Sequence, residues 1–332
     1  MGEKQHLRRE LRRRQHRFPG GYLTPMDSTI ERAPPTPGRA HFPAQPGVWL
    51  TDALLLCMAL IWGLNFAVVK FGVRTLAPLA FNGLRVALAA AALLAIAALT
   101  VRERWPSRRD TLRLLGLGVL GNCVYQIFFI EGLALTRAGT AAIVLAASPA
   151  FIALAGRLRG TERIAPRGLG GIALSIAGVG LVIAGRTPGG EDTLLGALLV
   201  VLGCVCWATF TVFLQPFTHR VHGVQLAALT MLGGAVPLLL VASPALAATD
   251  WGAANGATWG ALVYSGIAAL VIAYLIWYRG VRVLGPTRTA MYGNLQPVIA
   301  LGFAWLTLGE VPTVVQVLGT AVIMSGIVLT RR

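Results

Sequence analysis

Arg85, Glu131 and Lys70 are charged side chains that fall within or near the outer end of long apolar runs in this 332-residue chain. An ionised group at the middle of a bilayer costs roughly 2.5–3.5 kcal/mol on insertion scales, so it is kept where it is paired, wetted or used. Arg85 lies seven residues in from Pro78, which is about 10 Å along a helix rising 1.5 Å per residue. Glu131 sits near the outer end of the run 112–134. The two are placed to pair in the outer half, with Lys70 nearby. One reading is a structural ion pair, or side chains reaching for the outer surface. The other makes Glu131 a proton-coupling group.

Neutral polar groups give a second set. Asn122, Tyr125 and Gln126 recur at i, i+3 and i+4, one face of a regular helix. Tyr274, Trp277 and Tyr278 repeat that spacing, and Trp62 shares a face with Asn65. Together with Ser148, Tyr292 and Gln296 these residues are expected to line a cavity that is mostly apolar with a few hydrogen-bonding groups, which suits a small amphiphilic solute. The competing reading is ordinary hydrogen bonding between helices, with aromatic side chains at the interfaces. Pro149 and Pro297 each remove one backbone hydrogen bond within a run and are hinge candidates.

Other chemistries find no support. Neither lysine, Lys4 nor Lys70, stands in a phosphate-binding glycine loop. The five histidines (His6, His16, His41, His219 and His222) lie outside the apolar runs or at their edges, in no cluster at metal-ligand spacing. Cys57, Cys123, Cys204 and Cys206 lie inside apolar runs. Cys204 and Cys206 point about 200° apart on a helix. The cysteines read as small core or lipid-facing residues, and no cofactor or metal is expected.

The elements that must position these groups are membrane helices. Hydrophobic residues make up 55% of the chain and charged ones 13%, with a mean hydropathy of +0.68; a soluble domain carries about twice that charged share. Ten apolar runs are expected to span a core of about 30 Å, near 50–71, 78–100, 112–134, 138–156, 168–185, 194–215, 223–243, 257–278, 286–306 and 313–330. The net charge of +16 does not indicate nucleic acid, because the charges sit in an N-terminal arm and in short links. With the N-terminus inside, basic residues number nine in the arm, five from Arg102 to Arg113, four from Arg157 to Arg167, Arg220, three from Arg279 to Arg288, and Arg331 with Arg332. Only Lys70, Arg74, Arg137 and Arg186 fall outside. This asymmetry predicts both termini in the cytoplasm. Residues 1–47 form a basic, proline-rich arm that cannot bury enough apolar surface to fold alone. It is either a lipid-touching arm or an upstream extension of a chain that starts at Met26. The arginine-rich, alanine-rich composition suggests a bacterial source, hence an inner membrane.

The chain also repeats. A shift of 148 positions lays Gly118 on Gly266, Gly132 on Gly280, Ala142 on Ala290, Pro149 on Pro297, Glu162 on Glu310, Gly171 on Gly319 and Gly178 on Gly326, without a gap. It also places Gln126 on Tyr274, Phe129 on Trp277 and Ser148 on Gln296. The first spans of each half align at an offset of 145, with Trp62 on Trp207. Each half, 48–186 and 194–332, holds an odd number of spans, so the second enters the bilayer upside down relative to the first. Gly171 with Gly178, and Gly319 with Gly326, read as packing faces of spans five and ten.

These residues resemble the EamA-type branch of the drug/metabolite transporter superfamily. Trp62-Gly63-Leu64-Asn65-Phe66 with Lys70 resembles its first-span signature, and Arg85 its second-span arginine. Ser148-Pro149, Gly160-Thr161-Glu162-Arg163 and Leu308-Gly309-Glu310 resemble the endings of spans four and nine, and Gly171-Ile172-Ala173-Leu174 and Gly319-Thr320-Ala321-Val322 the closing helices. Two departures stand out: Gly160-Thr161-Glu162 where Leu-Gly-Glu is common, and Tyr278-Arg279-Gly280 at the end of span eight. The resemblance covers 50–331. It implies an all-α integral membrane carrier of ten helices in two inverted five-helix repeats, moving small metabolites, amino acids or drug-like amphiphiles, usually outward. A membrane lipid-modifying enzyme and a non-transporting scaffold or receptor are the alternatives. A homodimer is left open.

Overall fold

The computed structural model describes residues 46–161, 164–185 and 191–330. The basic arm with Met26, the Glu162–Arg163 pair, Arg186 and the terminal Arg331–Arg332 lie outside the described residues. Within them the secondary structure is helical, with no strand.

Among the described residues, eight helices are long and apolar enough to cross a membrane: α1 (Trp49–Thr75, with its helical backbone starting at Pro46), α2 (Pro78–Thr100), α3 (Arg108–Ala134), α4 (Ala138–Leu158), α5 (Pro166–Ala184), α6 (Leu194–Thr218), α7 (Gly223–Ala248) and α8 (Gly256–Leu284). Two shorter units follow. α9 is built of Pro286–Ala290, a 3-10 stretch Met291–Leu295 and Gln296–Leu308, and α10 is Val314–Thr330. Local chemistry sets several ends. Ser107 accepts a hydrogen bond from the Asp110 amide at the start of α3, and Pro78 and Pro166 stand in the first turns of α2 and α5, where no amide hydrogen is needed. Gly309 closes α9 with φ 70°, a left-handed conformation that glycine adopts without cost.

Four of these helices are irregular, at matching places. α3 is π-helical over Val119–Val124 and α8 over Tyr264–Ile272. A shift of 148 brings the first stretch into the second. α4 breaks at Ala146–Ala147, and the 3-10 turns of α9 occupy the corresponding place. Each break is followed at once by its proline, Pro149 or Pro297. Pro149 cannot bond the Leu145 carbonyl, and the Ser148 hydroxyl donates to that carbonyl instead at 2.5 Å.

Packing pairs α2 with α7, α5 with α10, the end of α3 with α6, and α1 with both α8 and α9. The α5–α10 pair makes the closest backbone approach foreseen for the glycine faces. A Cβ added at Gly326 would lie 2.5 Å from the Gly171 carbonyl oxygen, and one at Gly178 would lie 3.2 Å from that of Gly319. The Ser175 hydroxyl donates across the same seam to the Ile323 carbonyl, 148 positions away.

Candidate functional site

The irregular segments converge on the middle of the bundle. The π turns of α3 and α8 deliver Tyr125, Gln126 and Tyr274. The breaks in α4 and α9 deliver Ser148, Pro149, Gly293 and Gln296. α1 supplies Trp62 and Asn65, α6 supplies Trp207, and α2 supplies Arg85; all of these border one cavity of about 60 Å³. At roughly 10–15 Å³ for the centre of each water, that is room for about four waters.

One wall is aromatic. The Trp62 and Trp207 rings stand edge to face at 5.9 Å between centroids, and Trp277 lies 5.4 Å from Trp62 and 5.3 Å from Trp207. Tyr125 closes on Trp207 at 5.2 Å. Such offset and edge-on arrangements are the favoured ones for aromatic quadrupoles. The Trp62 indole donates to the Ala269 carbonyl of α8 at 2.9 Å, which fixes its orientation.

The other wall is polar. Arg85, 1% exposed, donates through Nε to Asn82 Oδ1 at 2.8 Å and through Nη2 to Gln126 Oε1 at 2.6 Å. Asn82 Nδ2 donates to the Gln126 backbone carbonyl at 2.9 Å, and Gln126 Nε2 to the Tyr274 hydroxyl at 3.4 Å. Gln126 and Tyr274 are the two residues that the 148-position shift superposes. Ser148 also touches Cys204 Sγ at 3.1 Å.

Trp62, Asn65, Tyr125, Gln126, Ser148, Tyr274, Trp277 and Gln296 all border the cavity, as do Arg85 and Pro149. Asn122 and Tyr292 do not. The Asn122 amide donates to the Thr230 carbonyl of α7 at 3.1 Å; the wide π turn shifts its phase away from the face that a regular helix would give it. Tyr292 lies in 3-10 turns of three residues each, which rotate it off the face of Gln296. Its hydroxyl donates to Asp52 Oδ1 at 2.6 Å. The expected Arg85–Glu131 ion pair is absent: Arg85 takes neutral partners, and the half-buried Glu131 carboxylate has no ion pair among the described residues. Lys70 is buried and donates to the carbonyls of Leu133, Ala134 and Thr136 at 3.1, 3.1 and 2.6 Å, capping the C-terminal end of α3. Pro297 follows the α9 break, without bordering the cavity.

Sequence reasoning missed three groups. Two are Asn82 and Asp52, the partners of Arg85 and Tyr292. Trp207 was flagged only as the counterpart of Trp62, although that pairing was the available signal for its place in the cavity.

Both ends of the cavity are bridged between the segments 48–186 and 194–332. At one end Glu310, 7% exposed, accepts from the Ala138 and Gly139 amides at 3.3 and 3.4 Å. Arg137 donates to the Val311 carbonyl at 2.6 Å, and Gln316 to Thr140 Oγ1 at 2.9 Å. These groups border a second, charged cavity of about 340 Å³ that also meets Arg74, Glu191 and Asp192. At the opposite end stand the Tyr292–Asp52 bond, an Arg288–Asp52 ion pair at 4.0 Å, and Arg279 Nε donating to Thr51 Oγ1 at 3.1 Å.

The model of the EamA-like transporter family matches this chain twice, over residues 49–184 and 194–332. The chain belongs to the EamA-like transporter family. An uncharacterized transporter of Archaeoglobus fulgidus is 30% identical, covering 84% of this chain and 96% of its own. A probable amino-acid metabolite efflux pump of Escherichia coli K12 is 28% identical over 82% of this chain and 92% of its own. A probable terminal-alkyne amino-acid exporter of Streptantibioticus cattleyicolor is also 28% identical, over 84% and 92%. A solved crystal structure with 22% identity covers 85% of this chain and 97% of that one with a TM-score of 0.61, a likeness of fold. This EamA protein is therefore a multi-pass membrane transporter for a small solute, and not an enzyme.

Proposed function

We propose that this EamA transporter is a secondary carrier that moves a small amphiphilic metabolite, such as an amino acid, outward across a bacterial inner membrane by alternating access. The two five-helix halves, 48–186 and 194–332, are its moving parts and are inverted relative to each other. The observation that carries this reading is the Gln126–Tyr274 hydrogen bond in the cavity wall. Residues equivalent under a two-fold relation can touch each other only near its axis, so the cavity sits on the axis between the halves. A cavity of about 60 Å³ with bridged ends fits a conformation in which the site is pinched shut, and loading requires one set of bridges to part. Pro149 and Pro297 lie at the breaks where such bending is cheapest. Both termini in the cytoplasm follow from the basic links. The export direction and the amino-acid class rest on what the two named relatives are said to carry. Glu131 is the candidate for proton coupling.

The test is flux in proteoliposomes, preceded by a screen in which cells overexpressing the protein are challenged with toxic amino-acid analogues. Resistance together with gradient-driven efflux of the same compounds is expected. Absence of flux for every compound, with the protein folded and inserted, would leave a scaffold or receptor instead. Glu131→Gln, assayed with and without a protonophore, should lose its dependence on the proton gradient; unchanged dependence removes Glu131 from coupling.

A further inference from the structure

A full positive charge is buried in the cavity wall with only neutral partners. Arg85 is held by Asn82 and Gln126, and Asn82 is itself tied to the Gln126 backbone. This frame fixes the plane of the guanidinium but does nothing to its charge, which arginine does not lose. Phe129 lies under it at 5.5 Å, adding a weak attraction. Nη1 has no acceptor at all, and the Trp277 indole N–H, 2% exposed in the aromatic wall of the same cavity, has none either. Asn65 Oδ1 lacks a donor. Unmatched polar atoms are costly in a buried setting and are normally rare. Of the six such side-chain atoms among the described residues, these three border the one cavity, and two of the three are donors.

We propose that Arg85 is the receptor for the carboxylate of the transported solute, which is therefore an amphiphilic carboxylate. This deepens the carrier reading and rests on it. Nη1 meets the carboxylate with a charge-assisted bond, and Trp277 Nε1 is available to a second oxygen. The Trp62–Trp207 face takes the apolar part of the solute, and Asn65 Oδ1 accepts an N–H where the solute has one. A neutral solute would leave the guanidinium charge without a counter-charge, so the cavity selects against the amide of the same acid.

The experiment uses the full purified chain in detergent and reads tryptophan emission, since Trp62, Trp207 and Trp277 face the cavity. The probes are L-leucine, L-phenylalanine and 4-methylpentanoate, each titrated against its own amide. At least one acid should bind about tenfold to a hundredfold more tightly than its amide, the range of a charge-assisted hydrogen bond. Arg85→Gln should erase that preference. Because Arg85→Gln strips Asn82 and Gln126 of their partner, Gln126→Glu is the second variant. It leaves the guanidinium in place and gives it an internal carboxylate, so the chain stays folded while acid binding falls by a similar factor. Equal binding of acid and amide, unchanged acid binding in Gln126→Glu, or no response to any acid would each overturn the proposal. Vesicle flux with the same probes separates it from the carrier reading. Acid-selective binding without flux removes the carrier and keeps the receptor, whereas flux of acid and amide alike does the reverse.

Discussion

Replacing Glu310 should unlock one end of the transporter. Its carboxylate accepts two amides, at 3.3 and 3.4 Å, from the first turn of α4. Those amides are donors that a helix leaves unsatisfied, and they belong to the other half of the chain. Both bonds are long, so each merits the low end of the range for a charged acceptor, and the pair about 2 kcal/mol together with the helix-end attraction. At 1.4 kcal/mol per decade this is roughly a thirtyfold shift in the balance between the closed and open forms of that end. A population of one open molecule in a hundred would rise to about one in four. The assay is the labelling rate of a reporter cysteine by a membrane-impermeant maleimide, in a background freed of the native cysteines. Ala142→Cys suits it, lying one turn deeper in α4 at 0% exposure. Adding Glu310→Ala should raise the rate at Ala142→Cys on the order of tenfold or more, and Glu310→Gln, which keeps one good acceptor oxygen, by less. If the rate with Glu310→Ala stays within twofold of the parent, Glu310 is an ordinary helix cap, and the view of this end as a gate is wrong.

Further expectations follow the same logic. Tyr292→Phe removes the 2.6 Å bond to Asp52 at the opposite end; it should leave labelling at Ala142→Cys unchanged or slower, and a rate increase matching that of Glu310→Ala would refute separate gates. Lys70→Met keeps the apolar stem but abandons three carbonyls at the end of α3. A cost of about 2–3 kcal/mol, with the three charged bonds partly offset by releasing a buried ammonium, should lower the melting temperature by several degrees. A thiol-reactive dye can read that transition because Cys123 and Cys204 are buried. Gly118→Ala would place a Cβ 2.1 Å from the Thr230 carbonyl oxygen. Since the clash is with backbone, α3 and α7 must separate, and the variant should fail to run as a single peak in size-exclusion chromatography, whereas Gly116→Ala, with open space around it, should run like the parent.

What could be read from the chain before folding follows from what its physics leaves visible. Apolar run length is fixed by bilayer thickness, so the runs predicted near 78–100, 138–156 and 194–215 meet the spans Pro78–Thr100, Ala138–Leu158 and Leu194–Thr218. Glycine faces on α5 and α10 were equally visible, because only glycine admits such close backbones. The cavity was visible in part. Tyr125 and Gln126 belong to it as spaced, yet Asn122 left their face because Val119–Val124 is π-helical, and nothing in that hexapeptide announces a wider turn. Arg85 was foreseen as a buried charge but given the wrong partner. The pairing with Glu131 was expected from depth alone, both charges lying in the outer half, whereas which residue of α3 faces α2 depends on the phase of the helix beyond the π segment. Asp52 escaped notice because its partner, Tyr292, is rotated by 3-10 turns that no local residue pattern foretold.

Comparing the two halves with each other separates packing from recognition. Where α5 meets α10, the 148-position shift superposes like on like: Gly171 on Gly319 and Gly178 on Gly326. A close backbone contact accepts one solution, and both halves keep it. At the cavity the same shift superposes unlike groups, Gln126 on Tyr274, Phe129 on Trp277 and Ser148 on Gln296, while Trp62 and Trp207, aligned at 145, stay alike. A site of two identical walls would present the same donors and acceptors to both ends of whatever lay on the axis. An amphiphile has a polar head and an apolar body, so two identical walls would serve one end and repel the other. The guanidinium and its amide frame come from the first half alone, whereas the indole surface draws on both halves. Arg85 itself falls on neither wall's twin, since it lies in a helix of the first half whose counterpart, α7, carries no charge at all. If the solute is the amphiphilic carboxylate proposed above, the asymmetry of the cavity matches its own, and the charge of α2 marks where its head should sit.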